Sequence, residues 1–214
     1  MKTGTLVVVL MACAAAFGQT TQPQPAATPP GPIDKMNLTD TMRYIQDRLN
    51  GQSKVSFQAT GTFTPAPPSK PVRMVNETSF TISDAVADGA GCTLAMHLVD
   101  ESKDESGASS KDESSVRLVL RDVETLEIQS VLDGYKTGVE RNTTWEVFPP
   151  TFILHILLNS GKSYHDRSRT TDEKGEVRET EGEMRGGFWI YFGEEEGARM
   201  MAEAIEHAGE LCGK

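Results

Sequence analysis

The chain has 214 residues, of which 31 are acidic and 21 are basic, so its formal net charge is −10 at pH 7. An acidic surface repels phosphate backbones and anionic lipid head groups. No stretch of the sequence interleaves basic with aromatic residues. We therefore expect neither nucleic acid nor an acidic membrane as a partner.

The first eighteen residues have the pattern of a secretory signal peptide. Lys2 supplies a short positive region, residues 6–17 are apolar or small, and Ala16-Phe17-Gly18 is a small-x-small cleavage site. The apolar run is too short to cross a bilayer as a helix. Residues 1–18 are therefore predicted to be removed during export to the periplasm or the outside of the cell.

Cys13 leaves a second way of processing the leader open. The segment Leu10-Met11-Ala12-Cys13 resembles the lipobox of bacterial lipoproteins, in which the cysteine is acylated and becomes the new N-terminus. That resemblance implies a lipid anchor at Cys13 and a membrane-anchored protein. The apolar run continues past Cys13 to Phe17, which favours ordinary cleavage near Gly18.

Residues 19–32 are rich in proline and carry no charge. Because proline fixes φ and cannot donate a backbone hydrogen bond, this segment is predicted to be an extended, disordered linker. A single domain, long enough to bury a core of ordinary size, is expected over residues 33–214.

The domain is predicted to begin with an amphipathic helix over residues 37–51. Its apolar residues recur every three or four positions, at Leu38, Met42, Ile45 and Leu49. Asn37 or Thr39 can cap the start of the helix, and Asn50-Gly51 can end it.

From residue 55 onward the apolar residues alternate with polar ones, which is typical of β-strands. Strands are predicted over residues 55–63, 72–82, 92–99, 116–120, 126–128, 145–148, 152–158, 163–170 and 188–192. The run 152–158 is nearly all apolar and fits a central strand covered on both faces. Residues 176–183 alternate glutamate with basic or polar residues, as expected of a solvent-exposed strand.

Residues 101–115 contain the pentapeptide Ser-Lys-Asp-Glu-Ser twice and no large apolar side chain. We expect a disordered loop at the tip of a hairpin. Its four carboxylates do not have the spacing of an EF-hand, so no metal site is predicted there.

The chain ends in a second amphipathic helix, predicted over residues 194–212. Its apolar stripe consists of Ala198, Met201, Ile205, Ala208 and Cys212. This stripe turns Cys212 towards the sheet.

Cys92 and Cys212 are the only cysteines once the leader is removed. Cys92 is predicted to lie in a strand, on the buried face. In an oxidising compartment such a pair is most simply a disulfide. Neither cysteine has a histidine or a second cysteine at ligand spacing, so neither a metal site nor a catalytic thiol is expected.

This order of helix, about seven antiparallel strands and helix predicts an α+β fold built on a bent antiparallel sheet or half-barrel. It resembles the pleckstrin-homology-like barrel, whose open end is closed by a C-terminal helix. The residues that carry the resemblance are 152–158, 162–170, 188–192 and the helix from Glu194. Many members of that family bind peptides or phosphoinositides. The lipid-binding members have several basic residues in the first hairpin, where this chain has only Lys70 and Arg73, so phosphoinositide binding is not expected.

A second resemblance, to the periplasmic carriers of lipoproteins, is confined to residues 44–57 and the prolines after Phe63. It implies a half-open sheet that encloses an acyl chain. The polar strand 163–170 and the closing helix depart from that pattern.

No catalytic or phosphate-binding motif is present, and no cofactor is predicted. Candidates for a binding groove are Trp145, Phe148, His165, Trp189 and Tyr191. At alternating strand positions such aromatic residues are more typical of packing than of recognition. The other histidines, His97, His155 and His207, fit partly covered strand faces or the outer side of the last helix.

The sequence favours an exported binding or scaffolding domain without a catalytic site, whose partner is a protein or a small apolar ligand. We expect its groove at strand 163–170, taken as a sheet edge, or at the apolar end near residues 145–150. The alternatives are a periplasmic carrier of apolar ligands or lipid, and a hydrolase in which His165 and Asp166 converge with a serine or a carboxylate in a cleft.

Overall fold

The computed structural model describes residues 31–64, 70–138 and 143–213. Three α-helices lie within them: α1, Leu38–Asn50; α2, Val131–Gly138; and α3, Glu195–Cys212. The ten strands in the same residues are β1 (Val55–Phe63), β2 (Val72–Asp88), β3 (Thr93–Asp104), β4 (Ser109–Val119), β5 (Val123–Ser130), β6 (Thr143–Phe148), β7 (Phe152–Leu158), β8 (Ser163–Thr171), β9 (Val177–Arg185) and β10 (Gly187–Phe192). The predicted signal peptide, Cys13 and the linker up to residue 30 lie outside the described residues.

The strands form two antiparallel sheets. The larger has seven strands in the order β6-β1-β2-β3-β4-β8-β9, and the smaller has the order β10-β7-β5. Within the described residues neither sheet closes into a barrel. The predicted α+β class is confirmed, with a helix before the large sheet and a helix at the C-terminus. The resemblance to pleckstrin-homology-like barrels stays a prediction.

Helices α1 and α3 pack against each other and against the sheets, and together they bury the core. The apolar stripe predicted on α3 is confirmed, because Ala198, Met201, Ile205 and Ala208 are all fully buried. On β7, Leu154, Ile156 and Leu158 are buried while the alternate residues are half-buried. The prediction that β7 is central is therefore right for the small sheet, where it pairs with β5 and β10.

Helix α1 is capped by Asn37, whose side-chain oxygen accepts a hydrogen bond from the backbone N–H of Asp40 at 3.0 Å. At the other end of the helix, Asn50 donates to the backbone oxygen of Ala85 and accepts from its N–H, both at 2.8 Å. These bonds hold an irregularity in β2, between Ser83 and Val86, where the register with β3 shifts. The strand predicted over 72–82 therefore continues to residue 88.

Cys92 and Cys212 lie together, with their sulfur atoms 2.13 Å and their Cα atoms 5.9 Å apart. This placement is compatible with the predicted disulfide and ties the start of β3 to the end of α3. The predicted position of Cys92 inside a strand is wrong by one residue, because β3 begins at Thr93. Cys92 has a φ of 51° and belongs to the preceding turn.

Residues 101–115 are not a disordered loop, contrary to the prediction. They are the paired ends of β3 and β4, and only residues 105–108 lie between the strands. The carboxylate of Asp104 holds this turn by accepting from the backbone N–H groups of Ser106 and Ala108 at 2.9 and 3.0 Å. The segment is polar yet ordered because its two strands are paired in register, and the hydroxyls of Ser102 and Ser110 lie 2.8 Å apart across them.

The strand predicted over 163–170 is not a sheet edge. It corresponds to β8, which lies between β4 and the glutamate-rich strand β9. The edges of the large sheet are β6 and β9. Strand β9 is exposed along nearly its whole length, as its charge pattern predicted.

Candidate functional site

The inward face of the large sheet changes character along the strands. On β3 the inward residues run from the buried Leu94, Met96 and Leu98 to Asp100 and Ser102. On β4 they run from Leu118 and Val116 to Ser114, Asp112 and Ser110. Because side chains alternate along a strand, these residues share one face, which is apolar at one end and polar at the other.

The polar end lies beneath a roof made by α2, β7 and β10, and two adjoining hollows separate the sheet from this roof. The hollows have volumes of about 440 and 290 Å³. Both are lined by Asp100 and Asp112, so the two carboxylates lie where the hollows meet. We call the combined space the acidic cleft. It is lined by Phe57, Asn76, Thr78, Phe80, Leu98, Asp100, Ser102, Ser110, Asp112, Ser114, Val116, Val131, Gly134, Tyr135, Ile153, Tyr164, Asp166, Ser168, Thr170, Gly187, Phe188, Trp189 and Tyr191.

Asp100 and Asp112 stand directly opposite each other on β3 and β4. Side chains in such a cross-strand pair have Cβ atoms about 5 Å apart, and two like charges there repel. Burial, and secondly the charge of Asp112, raise the pKa of Asp100 to about 6. Asp100 therefore holds its proton more tightly than an exposed aspartate does.

Asp166 is the third carboxylate of the cleft and lies on β8. Burial raises its pKa, while the nearby hydroxyls of Ser168 and Ser114 act in the opposite direction. Its Oδ1 atom is shielded from solvent and has no hydrogen-bond partner. The cleft thus holds a carboxylate oxygen whose bonding capacity the described protein residues do not use.

Aromatic rings form one wall of the cleft. Tyr191 packs between Phe57 and Phe80, at ring-centroid distances of 5.6 and 5.1 Å. Burial, and secondly the charge of Asp100, raise the pKa of Tyr191 to about 12. Its hydroxyl is therefore protonated at neutral pH and can donate a hydrogen bond.

The second ring of the wall, Tyr135, lies on α2 and stacks on Trp145 with a centroid distance of 4.4 Å. Asn76 reaches the Tyr135 hydroxyl from the large sheet at 3.4 Å. Trp145 in turn lies over Gly61, where an added Cβ would come within 2.8 Å of the indole. The glycine on β1 therefore makes room for the indole that supports the roof.

The five residues predicted to line one groove are distributed over different surfaces. Trp189 and Tyr191 line the acidic cleft, and Trp145 lies behind its wall. Phe148 is 77% exposed at the end of β6. His165 lies near Glu181 and Glu183 of β9, at 3.5 and 3.6 Å, on the face of β8 opposite to Asp166.

The other three histidines lie outside the acidic cleft, either beside a polar group of the protein or partly buried. His97 lies 3.3 Å from the hydroxyl of Ser115, and the Nε2 atom of His155 is buried without a partner. His207, expected on the outer side of α3, is partly buried, and its Nε2 lies 2.9 Å from the backbone oxygen of Met36. The N-terminal segment before α1 covers this side of the helix.

Sequence reasoning missed Asp100, Asp112 and Tyr135 as site residues, and it named Asp166 only in the alternative hydrolase site with His165. A signal for the first was present, since Asp100 continues the period-two series Leu94, Met96 and Leu98. For Asp112 the same series runs backwards from Leu118 through Ser114. No local sequence pattern indicated helix α2, so its part in the roof could not be predicted from the apolar periodicity of the strands.

A wider hollow of about 910 Å³ lies across β1 to β4, mostly among the outward-facing side chains, between Phe148 and the turn 171–175. Two of its charged side chains form ion pairs with neighbours outside the hollow: Glu101 lies 3.3 Å from Lys54, and Lys111 lies 2.7 Å from Glu113. Surface pairs of this kind indicate an ordinary solvated face. The acidic cleft is therefore the better candidate site, although it is smaller.

Comparison with protein-family models, with curated proteins and with solved structures finds no match to the chain in any of the three. Within the described residues, no group of three or more histidine, cysteine or acidic side chains could hold a metal ion. No helix in that part of the chain is long and apolar enough to cross a membrane. The acidic cleft is therefore the feature of the molecule that points to a function.

Proposed function

We propose that the protein is an exported binding domain that takes a small ligand into the acidic cleft. The observation that carries the proposal is the composition of this cleft, in which aromatic rings stand opposite hydroxyls and carboxylates. Ligand sites typically combine apolar walls with a few polar groups that orient the ligand. A sheet that served only as a scaffold would gain nothing from burying carboxylates, which costs free energy.

A carrier of lipid or other apolar ligands is less well supported. The apolar half of the interior is filled by side chains of α1, α3 and the sheets, including Ile45, Leu94 and Ile205, all fully buried. The cleft that remains has apolar walls, but it also contains hydroxyls and carboxylates, which an acyl chain would leave without partners.

A hydrolase built on His165 and Asp166 is also less well supported. The two side chains point to opposite faces of β8, so that Asp166 lies in the cleft with Ser114 and Ser168 while His165 lies against β9. A serine nucleophile needs a base within hydrogen-bond reach. Among the described residues that line the cleft there is no histidine to supply one.

Export is supported by two independent features. The predicted leader, residues 1–18, has the pattern of a signal peptide. The placement of Cys92 against Cys212 suits an oxidising compartment, where a structural disulfide persists.

The proposal can be tested with a blocked cleft. Ser110 lines the cleft, whereas its neighbour Ser109 is exposed on the other face, so Ser110→Phe and Ser109→Phe are a matched pair. Saturation-transfer NMR against panels of organic cations, sugars and fatty acids should find a ligand that binds the unaltered protein and S109F but not S110F. The proposal is wrong if no compound binds, or if S110F binds as well as S109F.

A further inference from the structure

The acidic cleft lacks the ion pairs that occur at several other places on the surface. At those places an acidic side chain lies beside a basic one, as Glu113 does with Lys111 at 2.7 Å and Asp122 with Lys162 at 3.0 Å. The described residues that line the cleft include Asp100, Asp112 and Asp166 and no lysine, arginine or histidine. These carboxylates are therefore not neutralised by the side chains around them.

This arrangement costs free energy in the folded protein. Asp100 and Asp112 repel each other across β3 and β4, and Asp100 is partly withdrawn from bulk water while Asp112 is exposed. A positively charged group placed between them would remove the repulsion and replace part of the lost hydration. An anion at the same place would be repelled by both carboxylates.

The spacing leaves only two carboxylates, Asp100 and Asp112, within reach of one ion, and no group of three or more potential metal ligands lies among the described residues. Asp166 pairs with Val116, whereas Asp112 pairs with Thr170, so the two carboxylates are four residues apart along the sheet. At about 3.3 Å per residue this is roughly 13 Å, too far for both to bind one ion. A molecule with a carbon skeleton can extend over such a distance.

The aromatic wall supplies a surface for that skeleton. Tyr135 and Tyr191 line the same hollow as the carboxylate pair. The electron-rich faces of aromatic rings attract ammonium groups, and more strongly when water is partly excluded. Carboxylates and aromatic rings in one partly enclosed space are thus complementary to an amine with an apolar body.

We infer that the ligand of the acidic cleft is an organic cation, whose ammonium group lies between Asp100 and Asp112 and whose carbon skeleton lies against Tyr135 and Tyr191. This inference rests on the proposed function and adds the chemical class of the ligand.

Three probes of the same length separate charge from apolar character: hexylammonium, hexan-1-ol and hexanoate. Isothermal titration calorimetry at pH 7.5 and low salt should show hexylammonium binding at least about tenfold more tightly than hexan-1-ol, and no binding of hexanoate. Added sodium chloride should weaken hexylammonium binding and leave hexan-1-ol unaffected, because only the former is held by charge.

The carboxylate pair offers matched variants. Asp100→Asn and Asp112→Asn should each weaken hexylammonium binding by about tenfold and leave hexan-1-ol binding unchanged. The controls Glu101→Gln and Glu113→Gln remove a charge from the neighbouring residue on the opposite face. They should change the binding of neither hexylammonium nor hexan-1-ol. If a variant does not fold, the salt dependence of hexylammonium binding to the unaltered protein still shows whether charge holds the ligand.

The failure of this inference is distinguishable from that of the proposed function. Equal binding of hexan-1-ol and hexylammonium, tighter binding of hexanoate, or equal effects of D100N and E101Q would overturn the cationic class. The cationic class would also be overturned if none of the three probes bound at 10 mM, a concentration on the order of the weakest specific dissociation constants. The proposed function would still stand if another compound bound S109F and not S110F.

Discussion

The two halves of the inward face of β3 and β4 are built from the same strands in the same register, yet one half is apolar and the other carries carboxylates. In the first half, Leu94 and Leu118 are fully buried beneath the helices. In the second half, Asp100 and Asp112 occupy equivalent inward positions beneath α2 and β10. The period-two pattern of the strands does not change; the layer that covers them does.

Under the proposed function, this difference separates stability from recognition within one sheet. Apolar burial stabilises the first half, since each buried aliphatic side chain contributes about 1.5–3 kcal/mol. The second half loses stability because Asp100 is partly withdrawn from water beside a second carboxylate, that of Asp112. Residues kept at such a loss are commonly the ones that a function requires. Substitutions in one half, with ligand binding and stability measured for the whole protein, test whether the two halves are separable.

The largest effect should come from the link between β3 and α3. Replacing Cys92 and Cys212 together by alanine removes a crosslink that spans 120 residues of sequence. We expect the free energy of unfolding to fall by about 4 kcal/mol in the chain-entropy account. Chemical denaturation of the oxidised protein and the double variant measures this difference. A loss below about 1 kcal/mol would show that the pair does not hold the first half together.

The next effect should come from the core beneath the first half. Ile205 on α3 is 0% exposed, so Ile205→Ala leaves a cavity and should cost about 3 kcal/mol. Its exposed neighbour gives the control, Glu206→Ala, which should change stability by less than about 0.5 kcal/mol. At temperatures where I205A is folded, its affinity for hexylammonium should match that of the unaltered protein. Loss of binding in the folded variant would mean that the two halves are not separable.

The roof of the second half can be disturbed without touching a carboxylate. A Cβ at residue 61 would lie 2.8 Å from the indole of Trp145, so Gly61→Ala should displace the ring that supports Tyr135. We expect a loss of about 1–2 kcal/mol in stability, from overpacking, and weaker hexylammonium binding. Gly182→Ala on β9 is the matched control, since nothing lies within 4 Å of its added Cβ. Equal effects of the two substitutions would argue against the role assigned to Trp145.

The carboxylate pair should make stability depend on pH in a direction opposite to that of a salt-bridged aspartate. The folded-state pKa of Asp100 is raised from 3.8 to about 6, so its proton favours the folded state, and that stability is lost as pH rises from about 4 to about 6. Around Asp100 the titratable groups of the cleft are Asp112, Asp166, Tyr135, Tyr164 and Tyr191.

Asp100→Asn should therefore be more stable than the unaltered protein above pH 6, by about 1 kcal/mol after allowance for solvent screening, and should lose this advantage near pH 4. Denaturation curves of both proteins from pH 4 to 7.5 provide the comparison. Glu101→Gln, on the opposite face, should show no such pH-dependent advantage. A constant difference across the range would refute the raised pKa.

The smallest effect is expected at the exposed end of β6. Phe148 is 77% exposed and does not line the acidic cleft, so Phe148→Ser should alter stability by less than about 0.5 kcal/mol and leave hexylammonium affinity unchanged. A loss of binding in this variant, by titration calorimetry, would move the site to the wider hollow beside Phe148.

The first half of the sheet was largely predictable from the sequence. The apolar series Leu94, Met96 and Leu98 and the stripe on α3 have the periods of their elements, and burial follows directly from such periodicity. The pairing of Cys92 with Cys212 followed from counting cysteines. These features depend on local pattern or on composition alone.

The second half was not predictable, because the burial and pairing of its side chains depend on contacts between distant segments. Ser110, Asp112 and Ser114 alternate with period two, but without large apolar residues that pattern is the same as that of a solvated loop. Asp100 and Asp112 become a pair only through the register of β3 with β4. The cleft then needs a roof from α2 and β10, and neither the short helix nor its place over the sheet has a sequence signature.

The most direct test of the account is a pH titration of the Asp100 carboxyl by carbon-13 NMR, in the free protein and with hexylammonium. The account predicts a pKa of about 6 in the free protein and a lower value when the cation lies beside it. A pKa near the ordinary 3.8 in the free protein, or a raised pKa that saturating hexylammonium does not move, would contradict an uncompensated carboxylate pair that binds a cation.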